Sequence, residues 1–167
     1  MSPLEDVTAE PQLQFADVNL NDLASNVVEL HRGYAADHDV ALSYNLAPQA
    51  PVVSSDPQRL TQILNNLVRN AIEAAGGRSV TVGSAAGIFR EGREGAVLTV
   101  KDTGPGLPRE VLLRLAEPKQ STKPGDHAGL GLHIVHRLVA ELKGSIDVQT
   151  GAGLGTTFTI FVPLSPL

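Results

Sequence analysis

Cysteine is absent from the 167 residues, which excludes disulfides and thiolate metal sites. Basic residues are outnumbered, 13 Lys and Arg against 18 Asp and Glu for a net charge of -5. No Lys/Arg-rich block occurs, so the electrostatic footprint of a nucleic-acid binder is missing. No apolar run approaches the roughly 18 residues of a membrane span. The N-terminus lacks the basic and apolar regions of a signal peptide. No direct membrane contact is expected of this segment, and a cytoplasmic location fits. Nor is there a Gly-x4-Gly-Lys-Ser/Thr stretch, so a P-loop is excluded.

What is present is ordinary globular composition, 42% hydrophobic and 19% charged, in a length suited to one domain. Met1 to Gln12 shows no periodicity and reads as a tail or linker end, leaving 13–167 as the domain. Phe15 to Val18 predicts a short strand. Asn19 or Asn21 caps a helix running to about Asp37, with Leu20, Leu23, Val27, Val28 and Leu30 at helical spacing. Val40 to Leu46 alternates like a strand, and Val52-Val53 follows two prolines. Ser79 to Ala85 and Gly95 to Lys101 read as antiparallel strands, with Gly87 to Glu94 as the hairpin tip. A short helix from Pro108 to about Leu115 is expected, then a Pro-, Gly- and Lys-rich loop from Ala116 to Ala128. A helix opened by Gly129-Leu130-Gly131 stops at Lys143-Gly144. Strands over Ser145 to Gln149 and Thr156 to Pro163 close the chain. The fold class is therefore α/β (α+β): a two-layer sandwich of a mixed, mostly antiparallel sheet and three main helices.

The best-defined element is the helix between Asp56, a natural N-cap with Pro57 at the first helical position, and Gly76-Gly77. Leu60, Ile63, Leu64, Leu67, Ala71, Ala74 and Ala75 form an apolar arc. Arg59, Gln62, Asn66, Arg69, Asn70 and Glu73 share the opposite stripe. Asn66 and Asn70 stand one turn apart, and amides there suit a phosphate and metal site as well as a solvated face. Asp102 ends an apolar strand before Thr103-Gly104-Pro105-Gly106. It is placed either to accept a hydrogen bond from an exocyclic amine or to make a turn. Gly129 and Gly131 open a helix whose free N–H groups can hold a phosphate, with Lys119 and Lys123 just before; a flexible tether is the bland alternative.

In order and spacing, Asn66-Leu67-Val68-Arg69-Asn70-Ala71, Asp102-Thr103-Gly104-Pro105-Gly106, Gly129-Leu130-Gly131-Leu132 and Gly153-Leu154-Gly155-Thr156-Thr157-Phe158 resemble the boxes of the histidine kinase catalytic and ATP-binding domain. The resemblance covers about Phe15 to Leu164 and implies the Bergerat fold shared with gyrases, mismatch-repair ATPases and chaperones. It implies ATP and Mg²⁺ as cofactors. Asn70 would coordinate Mg²⁺, Asn66 with Arg69 and Glu73 would line the phosphate region, and Asp102 would bind the adenine amino group. Gly104 and Gly106 would shape the adenine wall, Gly129, Leu130, Gly131 and Leu132 the lid and phosphate contact, and Lys123 would offset phosphate charge. Thr157 would lie at the adenine side. The ATP lid would span about 103–128, without the Phe-x-Pro-Phe segment common in the family. Its Glu117-Pro118 and Ser121-Thr122-Lys123 resemble the nitrogen-regulatory sensor kinases.

A phospho-accepting histidine of that family is followed by an acid and then a proline, and none of His31, His38, His127, His133 or His136 has this context. His127, within the lid range, is the one kept open as a nucleotide contact. The expected function is transfer of the ATP γ-phosphoryl group to a histidine on a dimerisation domain absent from this chain, with a downstream response regulator as the further partner. The parent would be a two-component sensor, soluble or membrane-bound. Two alternatives stand beside this: an anti-sigma-factor-type serine kinase and a nucleotide-gated binding module without kinase activity.

Overall fold

The computed structural model describes residues 12–75, 78–104, 127–151 and 153–165. Three helices, α1 (Leu20–Asp37), α2 (Pro57–Ala75) and α3 (His127–Glu141), cover one face of a five-stranded sheet. The sheet is built from β2 (Ala41–Asn45), β4 (Ser79–Arg90), β5 (Arg93–Asp102), β7 (Gly155–Pro163) and β6 (Ser145–Gly151), in the spatial order β2-β4-β5-β7-β6. Only the β2–β4 pair is parallel. The two-layer expectation holds. A separate antiparallel ribbon pairs β1 (Ala16–Asn19) with β3 (Val52–Ser55).

The core lies between helices and sheet. Leu60, Leu64, Leu67, Val68 and Ile72 of α2 meet Val80, Val82, Leu98, Val100, Phe158 and Ile160 on the sheet, all buried. Alternation along β5 and β7 puts even-numbered residues under the helices and odd-numbered ones on the other face. That parity decides the site.

The hairpin is tighter than expected. β4 and β5 continue through the charged stretch and turn on Glu91 and Gly92 alone, with φ of 52° and 75°. A two-residue loop with both φ positive follows the natural twist of paired strands. The register shifts between Ala85 and Ile88, so one extra residue of β4 goes into a bulge. α3 begins at His127, two residues before the expected glycine. The helix expected at 108–115 and Gly76-Gly77 lie outside the described residues.

Candidate functional site

The helix caps position the site. Asn19 caps α1 by accepting from the Asp22 N–H at 3.0 Å. Asp56 caps α2: its Oδ1 accepts from Gln58 N at 3.0 Å and Arg59 N at 3.1 Å. Its Oδ2 accepts from Gln14 N at 2.9 Å and from Arg59 Nη1 at 3.1 Å. Burial alone would raise the pKa of this carboxyl, but the N–H groups of Gln14, Arg59 and Gln58 and the guanidinium outweigh it and hold it below the ordinary value.

Arg59 also reaches Glu141, the last residue of α3, at 3.0 Å. The first turn of α2 is thereby tied to the last turn of α3, and the two helices run side by side in opposite directions. At about 100° per residue, Asn66 and Asn70 fall within about 20° of the azimuth of Arg59. The two amides therefore face α3, and at about 1.5 Å per residue they come level with its first turns. Both are partly buried. Among the described residues, Asn70 Nδ2 is buried without a hydrogen-bond partner, as is His133 Nδ1 on α3. Orphaned buried polar atoms are uncommon and call for an explanation. Gly129 falls in the first turn of α3, where backbone N–H groups have no intrahelical acceptor.

The third wall is the end of β5. Asp102 is 3% exposed. Its Oδ1 accepts from Gly104 N at 2.8 Å, and the backbone of Thr156 also donates to the carboxylate. No cation pairs with it among the described residues. Burial therefore dominates and raises its pKa, against the opposing pull of the Gly104 and Thr156 N–H groups. Gly104 sits against the last turn of α2, where an added Cβ would lie 2.6 Å from the Ala74 carbonyl oxygen. Gly155 has φ +77°, and a Cβ there would lie 2.0 Å from the Asp102 carbonyl oxygen. These two glycines let β5, β7 and α2 close on one corner. A Gly104→Ala substitution is expected to displace Asp102 relative to α2 and to cost about 1–3 kcal/mol, measured by chemical denaturation; unchanged stability would show that the corner yields.

Several expected site residues part company here. Arg69 and Glu73 are turned toward α1: the Tyr34 hydroxyl donates to Glu73 at 2.5 Å, Arg69 pairs with Glu73 at 3.5 Å, and the Arg69 guanidinium lies 5.1 Å from the Tyr34 ring centre. Arg69 precedes Asn70 by one residue, about 100° of helix, so the two face different neighbours. Thr157 does not share the face of Asp102. It pairs with Lys101, whereas Asp102 pairs with Thr156, so the side chain on the Asp102 face is Thr156, buried and with its hydroxyl 2.9 Å from that of Thr150. The signal was available, since Phe158, Ile160 and Val162 set the parity of β7. Gly106, Lys123 and nearly all of the expected lid lie outside the described residues. Thr103, at its start, is fixed by a bond from its N–H to the Ser79 carbonyl, and His127 and Ala128, at its end, belong to α3.

The family described as "Histidine kinase-, DNA gyrase B-, and HSP90-like ATPase" matches residues 55–166. The chain belongs to this family. It is 32% identical over 165 residues to the sensor histidine kinase ZraS of Escherichia coli (strain K12), a match covering 99% of this chain and 34% of ZraS. The chain thus spans about a third of the length of that relative. The catalytic domain of histidine kinase ThkA superposes with a TM-score of 0.77 at 26% identity, covering 92% of this chain and 97% of that one. ThkA in complex with response regulator protein TrrA gives 0.75 at 25% identity, covering 98% of this chain and 46% of that one. Full-length ShkA in complex with AMPPNP gives 0.76 at 30% identity, covering 95% of this chain and 34% of that one. The fold is that of a histidine kinase catalytic, ATP-binding domain. No helix among the described residues is long and apolar enough to cross a membrane.

Proposed function

We propose that this domain binds ATP with Mg²⁺ in the corner between Asp102, Gly104, Asn66, Asn70 and the first turn of α3, and passes the γ-phosphoryl group to a histidine on a separate dimerisation domain. The observation that carries this reading is Asp102: a buried carboxylate held by backbone N–H groups, without a cation among the described residues, beside a glycine pressed onto α2. Such a group accepts from an exocyclic amine, and a flat ring can approach the backbone at Gly104. Asn66 and Asn70 then lie on the side of α2 toward the first turn of α3, where the free N–H groups at Gly129 and before it favour phosphate oxygens.

The residues present suit Mg²⁺. Among the described residues no cluster of three or more His, Asp or Glu could cage a metal, and Mg²⁺ commonly takes one or two protein oxygens with phosphate and water oxygens completing the shell. Asn70, whose Nδ2 is buried without a partner among the described residues, would supply such an oxygen through its Oδ1. When bound, the ion neutralises phosphate charge as it develops. Lys123 is the proposed further cation. The acceptor imidazole comes from outside the chain, since none of its five histidines is followed directly by an acid and, a few positions on, by a proline. A response regulator would receive the phosphoryl group next, a partnership supported by the ThkA–TrrA complex. The parent protein would then be a two-component sensor with this domain in the cytoplasm.

The side chain of Asn66 is an amide and cannot take a proton from water, as a carboxylate at that position would. Hydrolysis by the isolated domain is therefore expected to be far below the typical enzyme turnover of about 10 s⁻¹. Calorimetric titration with ATP and Mg²⁺ tests the binding reading. Saturable binding whose Mg²⁺ dependence disappears in Asn70→Ala is the expected result. Absence of binding by the unmodified domain overturns it in favour of an interaction module.

A further inference from the structure

We infer that Tyr34, on α1, is a positioning residue of the nucleotide site: its hydroxyl and ring draw the charges of Glu73 and Arg69 away from the phosphate region, leaving the amides of Asn66 and Asn70 to face it. The inference rests on the nucleotide reading above and adds a residue from a different helix to it.

The geometry is specific. Glu73 lies three residues after Asn70 and Arg69 one before it, so both are within a turn of the proposed Mg²⁺ ligand. A carboxylate in that place has two ways to interfere. It repels the γ-phosphate, and it competes for the metal. Tyr34 takes the carboxylate with a 2.5 Å hydrogen bond, while the Arg69 guanidinium lies 5.1 Å from the ring centre and 3.5 Å from the same carboxylate oxygen, Glu73 Oε2. The ring is also in contact with that of His38, tilted by 45° with centroids 4.4 Å apart, and His38 Nδ1 lies 2.9 Å from the Tyr34 carbonyl oxygen. Tyr34 of α1, its C-cap His38, and Arg69 and Glu73 of α2 thus form one connected set at the C-terminal half of α2. The hydrogen bond to Glu73 is also the largest cause of a raised phenol pKa, so Tyr34 stays a donor through the neutral range.

Removing only the hydroxyl tests this. Tyr34→Phe keeps the ring under Arg69 and His38 but releases Glu73. Its affinity for ATP·Mg²⁺ by calorimetry is expected to fall roughly threefold to tenfold, the scale for a partly screened charge a few ångströms from a polyphosphate. Glu73→Gln alone should bind as well as the parent or better. The decisive variant is the double one, Tyr34→Phe with Glu73→Gln, which should regain the affinity of Glu73→Gln, because an amide has no charge to misplace. If the double variant stays as weak as Tyr34→Phe, Tyr34 acts through packing and the inference is overturned. Unchanged affinity in Tyr34→Phe overturns it too. Failure of the parent domain to bind ATP would instead strike at the nucleotide reading, so the two failures are distinguishable.

Discussion

Replacing Asp102 with Asn is expected to weaken ATP binding roughly tenfold to a hundredfold while leaving the melting temperature within a few degrees of the parent. A hydrogen bond to a charged partner contributes about 1.5–3 kcal/mol, which sets the affinity scale. Asn has one acceptor oxygen where Asp has two, and the backbone N–H groups of Gly104 and Thr156 already call on it. The adenine amine would then meet an NH₂ group or share an acceptor already engaged. Stability behaves differently. Burial raises the Asp102 pKa, so above the unfolded value near 3.8 its charge opposes folding, and this penalty is relieved as the pH falls through the raised folded value. Asn removes the penalty but sets a donor against a donor, and the two effects offset. The same shift predicts that ATP affinity falls on acidification at a higher pH than an exposed carboxylate would give, because a protonated Asp102 donates where it must accept. Calorimetry with a paired thermal melt checks the substitution, and unaltered affinity in Asp102→Asn would falsify the assignment.

Replacing Asp56 with Ala should do the reverse, harming the fold far more than the chemistry. Four donors converge on this carboxylate, which is 2% exposed. Loss of an N-cap costs about 1–2 kcal/mol. Stranding the Gln14 N–H and removing one of two carboxylates from Arg59 adds to this, for a total of about 3 kcal/mol. In a domain of this size that is roughly 6–12 °C in Tm. Asp56→Asn, which keeps a capping oxygen, should lose about half as much. The pH dependence has a definite sign. The folded pKa lies below the ordinary 3.8, so this stability is present above the unfolded value and is lost as the pH falls through the depressed one. Acid denaturation of the parent should therefore show a limb below about pH 4 that is flattened in Asp56→Ala. A variant melting within 2 °C of the parent, or an unchanged acid limb, would remove Asp56 from its place as the anchor of α2.

The bounds and faces of α2 were determined by the sequence alone. An N-cap acid before a proline is local chemistry that needs no tertiary partner, and 3.6-residue periodicity separates the apolar arc from the Asn66 and Asn70 stripe. The end of β5 at Asp102 and the glycines after it are local in the same sense, since an apolar strand running into Gly and Pro has nowhere else to turn. What periodicity cannot supply is the identity of the neighbour. Arg69, Asn70 and Glu73 are adjacent on one polar stripe, yet the Arg59–Glu141 pair fixes which edge of it meets α3, and Tyr34, 39 residues before Glu73 in the chain, claims the other edge. Neither contact is legible from α2 itself.

Strand register shows the same division. Alternation says that Thr156 and Thr157 point to opposite faces. Which of them joins Asp102 is decided by the pairing of β5 with β7, strands separated by the whole of α3 and β6. A slip of one residue reverses every side chain, and the register puts Thr156 rather than Thr157 on the Asp102 face. The hairpin was misjudged for a related reason. Charges in Arg90 to Glu94 read as loop, but backbone pairing is indifferent to charge on an exposed face, and Glu91-Gly92 turns the chain in two residues. Local sequence determined where elements start, stop and bury themselves; packing between distant elements decided which polar groups converge, because that depends on contacts no single segment contains.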